Sequence, residues 1–148
     1  MNPDFCSLPI SQKVSMNNFI LAATAQTPRI DFNSITGIMS IEGRCIPDEP
    51  DDFWLPILNW FESYLLRPLQ SIVIKIDLEY FNIASSKRIL FLLYKLNELS
   101  ESGCNVIVEW RYKIDDEEMF EVGQDFAYMV KFPFEFISYR DGGFSLAI

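Results

Sequence analysis

The sequence predicts an α/β domain, an opening β-hairpin and helix followed by a βαβαβ run, giving a mixed sheet packed by helices. Three observations carry that prediction. Residues 71–100 begin as a nearly continuous β-branched run around Ile72-Val73-Ile74-Lys75-Ile76 and then change period, with Ile89, Leu92, Leu93, Leu96 and Leu99 at helical spacing. Ahead of them lie two short alternating segments separated by a Ser/Thr/Gly-rich turn, a hairpin signal. The composition also suits a packed domain rather than a disordered chain, since 49% of the 148 residues are hydrophobic and 15% are aromatic.

Residues 1–18 mix Pro3 and Pro9 with Ser, Asn and Gln and show no period, which predicts a flexible extension ahead of a domain spanning 19–148. Phe19 to Ala23 reads as a first short strand or extended arm, and Thr27-Pro28 ends it. Ile30 and Phe32 then alternate with polar neighbours, and after Ser34-Ile35-Thr36-Gly37 the returning strand runs towards Pro47. The acidic run Asp48-Glu49-Pro50-Asp51-Asp52 precedes a helix over 53–66. Its carboxylates are stabilised there by the positive end of the helix. Trp54, Ile57, Leu58, Phe61 and Leu65 form its apolar stripe, and Pro56 is expected in its first turn, where no N–H is needed.

The strand starting at Ser71 is apolar enough to be expected buried on both faces. A polar elbow, residues 82–87, hands it over to the helix that stops at Gly103. Asn105 to Tyr112 alternates as a strand. A second acidic run, Asp115 to Glu118, leads into a helix over 119–131 with Met119, Val122, Phe126, Met129 and Val130 at helical spacing. Pro133 breaks that helix, 134–139 is a further strand, and Phe144 to Ile148 reads as an edge strand.

Charge and residue usage narrow the function. A net charge of −9 and a pI near 4.4 argue against nucleic acid and anionic membrane, and steering favours a basic partner surface. The chain has no histidine and only three scattered cysteines, so the usual zinc sets cannot be assembled and no metal or other cofactor is expected. Lack of imidazole also removes every Ser-His or Cys-His pair and the commonest general base. The remaining enzymatic reading is an enzyme that uses the 115–118 carboxylates with a divalent metal; for the 48–52 run a helix cap stands against a metal site. Without a signal-like start or an apolar run of about 18 residues, a cytoplasmic protein is expected.

The elbow carries the sharper signal. Ser85 or Ser86 is expected as the N-cap of the following helix, or as a hydroxyl whose phosphate the free N–H groups would stabilise, with Lys87 adding a contact. Leu90, Phe91 and Tyr94 fall outside the core arc. Together with Asn82, Ile83 and Lys87 they make a candidate partner-binding face, the alternative being residues covered by the N-terminal extension or a neighbouring helix.

Over residues 27–137 an ordered set of segments resembles the SiaC family of regulatory phosphoproteins, small STAS-like domains related in architecture to anti-sigma factor antagonists. The set runs from Thr27-Pro28-Arg29-Ile30-Asp31-Phe32 and Glu42-Gly43-Arg44 through Phe53-Trp54, Pro56, Trp60 and Tyr64. It continues with Leu78-Glu79-Tyr80-Phe81-Asn82, Ala84-Ser85-Ser86-Lys87 and Trp110-Arg111-Tyr112, and closes with Gly123, Asp125 and Pro133-Phe134. The resemblance implies a non-enzymatic switch. It would be phosphorylated at the elbow by a partner protein kinase, reset by a PPM-type phosphatase, and in its dephosphorylated form bind and activate a diguanylate cyclase in cyclic di-GMP signalling of biofilm or aggregation. Ile83 occupies the position where the family usually carries threonine, so the resemblance leaves Ser85 or Ser86 as acceptor, or a constitutive adaptor.

Overall fold

A computed structural model describes residues 17–140. Six strands form one sheet in chain order: β1 (Phe19–Leu21), β2 (Arg29–Phe32), β3 (Ile38–Cys45), β4 (Ser71–Phe81), β5 (Asn105–Lys113) and β6 (Phe134–Tyr139). The first two pairings are antiparallel and the next three parallel. Helices α1 (Pro50–Leu65), α2 (Ile83–Glu101) and α3 (Glu117–Tyr128) make the three parallel crossovers. The predicted α/β architecture is therefore present; 144–148, read as an edge strand, and most of the 1–18 extension lie outside the described residues. Asn17 and Asn18, the last two residues of that predicted extension, are tied to the domain. Trp60 Nε1 donates to the Asn17 carbonyl at 2.8 Å, and the Ser34 N–H donates to Asn18 Oδ1 at 2.9 Å.

The β2–β3 turn closes through Asn33, whose side-chain oxygen accepts from the N–H groups of Ile35 and Thr36, both at 2.9 Å. Gly37 leaves the turn at φ +77, and a Cβ there would lie 2.5 Å from the Ser71 carbonyl oxygen, so only glycine fits.

Strand order explains which surface is dry. Parallel strands that follow one another in sequence, each joined by a crossover of the usual hand, collect all their helices on one face. Alternate β4 residues Ile72, Ile74, Ile76 and Leu78 are buried, while Val73, Lys75 and Asp77 on the other face are only half-buried. The expectation of a strand buried on both faces is thus corrected: β4 is central, but a polar sheet face lies open to its other side. That face pairs Arg29 with Glu42 at 3.1 Å and Arg111 with Glu109 at 3.1 Å, and Tyr139 Oη donates to Asp77 Oδ1 at 2.6 Å. Burial raises the Asp77 carboxyl pKa, partly offset by that hydrogen bond.

On the helical face Trp54, Ile57, Phe61 and Tyr64 of α1, Ile89, Leu92, Leu93 and Leu96 of α2, and Met119 and Phe126 of α3 complete the core. Within α1, Pro50 rather than Pro56 takes the first turn. Pro56 lies inside the helix on its exposed side, where the Asp52 carbonyl it leaves unpaired can meet water. Met129, placed in the apolar stripe from spacing, is instead the exposed C-cap of α3. No helix among the described residues is long and apolar enough to cross a membrane.

Candidate docking site at the strand-to-helix elbow

The parallel strands deliver the starts of α1, α2 and α3 to one edge of the sheet, with the β4–α2 elbow in the middle. A one-residue irregularity helps form it. Gly43 pairs with Leu78 but Arg44 pairs with Tyr80, so Glu79 is extra and both Glu79 and Tyr80 are exposed. Phe81 then turns inward, its ring 6.4 Å from that of Phe126.

Asn82, not Ser85 or Ser86, caps α2. Its Oδ1 accepts from the Ser85 N–H at 2.9 Å, and its own N–H donates to the Cys45 carbonyl at 3.1 Å. Asn82 therefore holds the elbow against β3 and is half-buried. Ser85 is fully buried, and its Oγ accepts from Trp54 Nε1 at 3.1 Å and from Cys45 Sγ at 3.3 Å. The Ser85 hydroxyl, named as a phosphorylation candidate, thus has no exposed surface in this fold. Ser86 is half-buried and its Oγ donates to the Ile83 carbonyl at 2.7 Å. The role of Ser85 was legible in principle: at about 100° per residue it falls on the same arc as Ile89, Leu92 and Leu96, the arc that faces the core.

Opposite that arc the exposed residues line up. Ile83, Lys87, Leu90, Phe91 and Tyr94 fall within about 100° of one another around α2, a single stripe about 16 Å long. Ile83 is 77% exposed, Tyr94 46% and Phe91 40%, while Lys87 is exposed at the second turn. Leu90, also named for the contact face, is half-buried and packed against the core. Lys95 Nζ lies 5.4 Å from the Phe91 ring centre, and Tyr94 Oη donates to Met129 Sδ at 3.9 Å, so the far end of the stripe is held in place from α2 and α3.

The second acidic run is a helix start. Asp116 Oδ1 accepts from the Met119 N–H at 3.0 Å, with Glu117 and Glu118 in the first turn of α3. Among the described residues no group of three or more His, Cys, Asp or Glu side chains is placed to hold a metal ion.

Against known families, the model of the SiaC family regulatory phosphoprotein matches residues 21–139, most of the chain. This chain belongs to the SiaC family. An uncharacterised protein of Pseudomonas aeruginosa strain UCBPP-PA14 is 25% identical over 119 residues, covering 80% of this chain and 94% of that protein. The crystal structure of apo-SiaC from Pseudomonas aeruginosa superposes with a TM-score of 0.75 at 24% identity, over 83% of this chain and all of that one. A chain from the crystal structure of the diguanylate cyclase SiaD in complex with its activator SiaC, of the same organism, gives 0.78 at 24% identity, over 82% and 99%. The SiaC fold and the predicted architecture thus coincide.

In this SiaC-family chain the buried Cys45 thiol makes the elbow sensitive to alkali. Burial pushes its pKa up to about 11 from 9.0, with the Ser85 bond pulling weakly the other way. The unfolded thiol loses its proton first, so this contribution to stability is complete below pH 9 and is lost as pH rises towards 11. Urea midpoints measured at pH 8 and pH 11 test it. Cys45→Ala should be less stable at pH 8 yet lose less over that window, by on the order of 2–3 kcal/mol. Equal losses in both proteins would contradict the assignment.

Proposed function

We propose that this chain is a cytoplasmic, non-enzymatic regulator that binds a diguanylate cyclase through the exposed stripe of α2 and raises its activity. The observation that carries this reading is Ile83, a large aliphatic side chain left 77% exposed at the first position of a well-capped helix and continued by Lys87, Phe91 and Tyr94. A solvent-exposed apolar row on a helix whose opposite side is packed into the core favours a partner surface. Membership of a family of regulatory phosphoproteins supports it, as does the likeness to SiaC, which is the activator of SiaD in their complex.

The proposal extends to control by a protein kinase and a PPM-type phosphatase. With Ser85 buried and Ile83 bearing no hydroxyl, Ser86 is the elbow residue that would accept phosphate, next to the free N–H groups of the helix start. Purified chain and cyclase, assayed for cyclic di-GMP synthesis, provide the test. Ile83→Glu should lower the stimulation at least tenfold, a loss of about 1.4 kcal/mol or more, with an unchanged melting temperature. Undiminished stimulation would remove the stripe from the interface. Phosphate placed by the kinase on Ser86 should likewise weaken binding; an elbow that stays unmodified would leave a constitutive adaptor.

A further inference from the structure

The two helices beside the stripe differ from α2 in charge. Helix α1 carries Asp51, Asp52 and Glu62 and no lysine or arginine. Helix α3 carries Glu117, Glu118, Glu121 and Asp125, again with no cation. All seven carboxylates are exposed. The cations that α2 directs towards α1 are already used: Arg88 is paired with Asp51, and Lys95 Nζ lies 3.7 Å from Glu62. Those pairs neutralise two of the three α1 carboxylates, so the apolar row has its acidic margin on the α3 side, with Asp52 the remaining carboxylate of α1.

From this arrangement, and resting on the reading of the α2 stripe as the docking surface, we infer the chemistry of its occupant. It is an elongated protein segment with a row of apolar side chains flanked along the α3 edge by lysine or arginine. Apolar burial along the stripe supplies affinity, while the exposed carboxylates on α3 select for cations at the rim and raise the encounter rate. Like charge there is costly, so an acidic segment of equal hydrophobicity is rejected. Lys87 places one cation on the stripe itself, which directs the positive charges of the occupant to its α3 edge rather than its centre.

Panning a random library of displayed peptides of about 16 residues, long enough to cover a stripe of about 16 Å in helical or extended form, against the intact chain tests this. Enriched peptides should combine apolar residues with lysine or arginine. Synthesised singly, they should bind at least tenfold more weakly to Ile83→Glu, and at least tenfold more weakly when salt rises from about 50 to about 500 mM, as screening of exposed charges requires. Enrichment of acidic or uncharged peptides, no enrichment at all, or binding indifferent to Ile83→Glu would overturn the inference. The outcome separates from that of the cyclase assay. Basic peptides that bind while the cyclase goes unstimulated would reject the named partner and keep the surface chemistry. Stimulation without a basic signature would do the reverse.

Discussion

Gly123→Ala is expected to destabilise the domain by about 3 kcal/mol and to lower its melting temperature by roughly 10 °C. Gly123 is buried on α3 in ordinary helical backbone, so the cause is space and not conformation. A methyl group there would lie 2.5 Å from Cδ1 and Nε1 of Trp110 and 2.8 Å from Cε2. The indole cannot yield easily. It is 1% exposed, its Nε1 donates to the Met119 carbonyl at 3.0 Å, and it packs between Phe126 and Phe134 with ring centres 5.7 and 6.2 Å away. Either α3 lifts off β5 or the Trp110–Met119 bond breaks. The better helix propensity of alanine, about 1 kcal/mol, offsets only part of this. Gln124→Ala, one position on and exposed, should be neutral. Urea unfolding of the three proteins decides the matter, and a Gly123→Ala midpoint equal to that of the parent would show that the indole moves freely.

Ser85→Val is the second large effect, at about 2–6 kcal/mol. Loss of the hydroxyl leaves the buried Trp54 N–H without an acceptor, which costs about 1–3 kcal/mol. The branched side chain then has to fit a site with no exposed surface, adding about 1–3 kcal/mol. Ser85→Ala separates the two terms, since it loses the acceptor without adding bulk, and should fall near the lower figure. Because Ser85 joins α2 to α1 through Trp54 and to β3 through Cys45, damage here should also loosen the elbow. Hydrogen exchange should then speed up at the amides of Ser85 and Ser86 ahead of those in β5. Uniform exchange across the domain would mean that Ser85 contributes to global stability alone.

Much of this was legible in the residues. The change of period within 71–100 located the elbow, and the arc of Ile89, Leu92, Leu93 and Leu96 named the buried side of α2 before any neighbour was known. The strand over 134–139 appears with the bounds expected of it, its start fixed by Pro133, which cannot continue the preceding helix. Other expectations failed for identifiable reasons. Pro50 and Pro56 both suit a helix start by type, and only the closing of the Phe53 N–H onto the Glu49 carbonyl puts the start at Pro50. Ser85 and Asn82 are both good caps, but the buried Trp54 indole needed an acceptor and took Ser85, leaving Asn82 to cap.

The order of the elements and the apolar side of each helix were fixed by local period and residue type, and membership of the SiaC family by the ordered segments of the chain. Tertiary structure alone decided that all three helices share one face of the sheet, so that β4 is dry on one side only. It also decided that Ser85 points inward, and that the stripe from Ile83 to Tyr94 lies open beside the acidic helix α3. Periodicity tells which side of its own element a residue occupies; what covers that side depends on strand order and crossover hand, which bring together residues far apart in the chain.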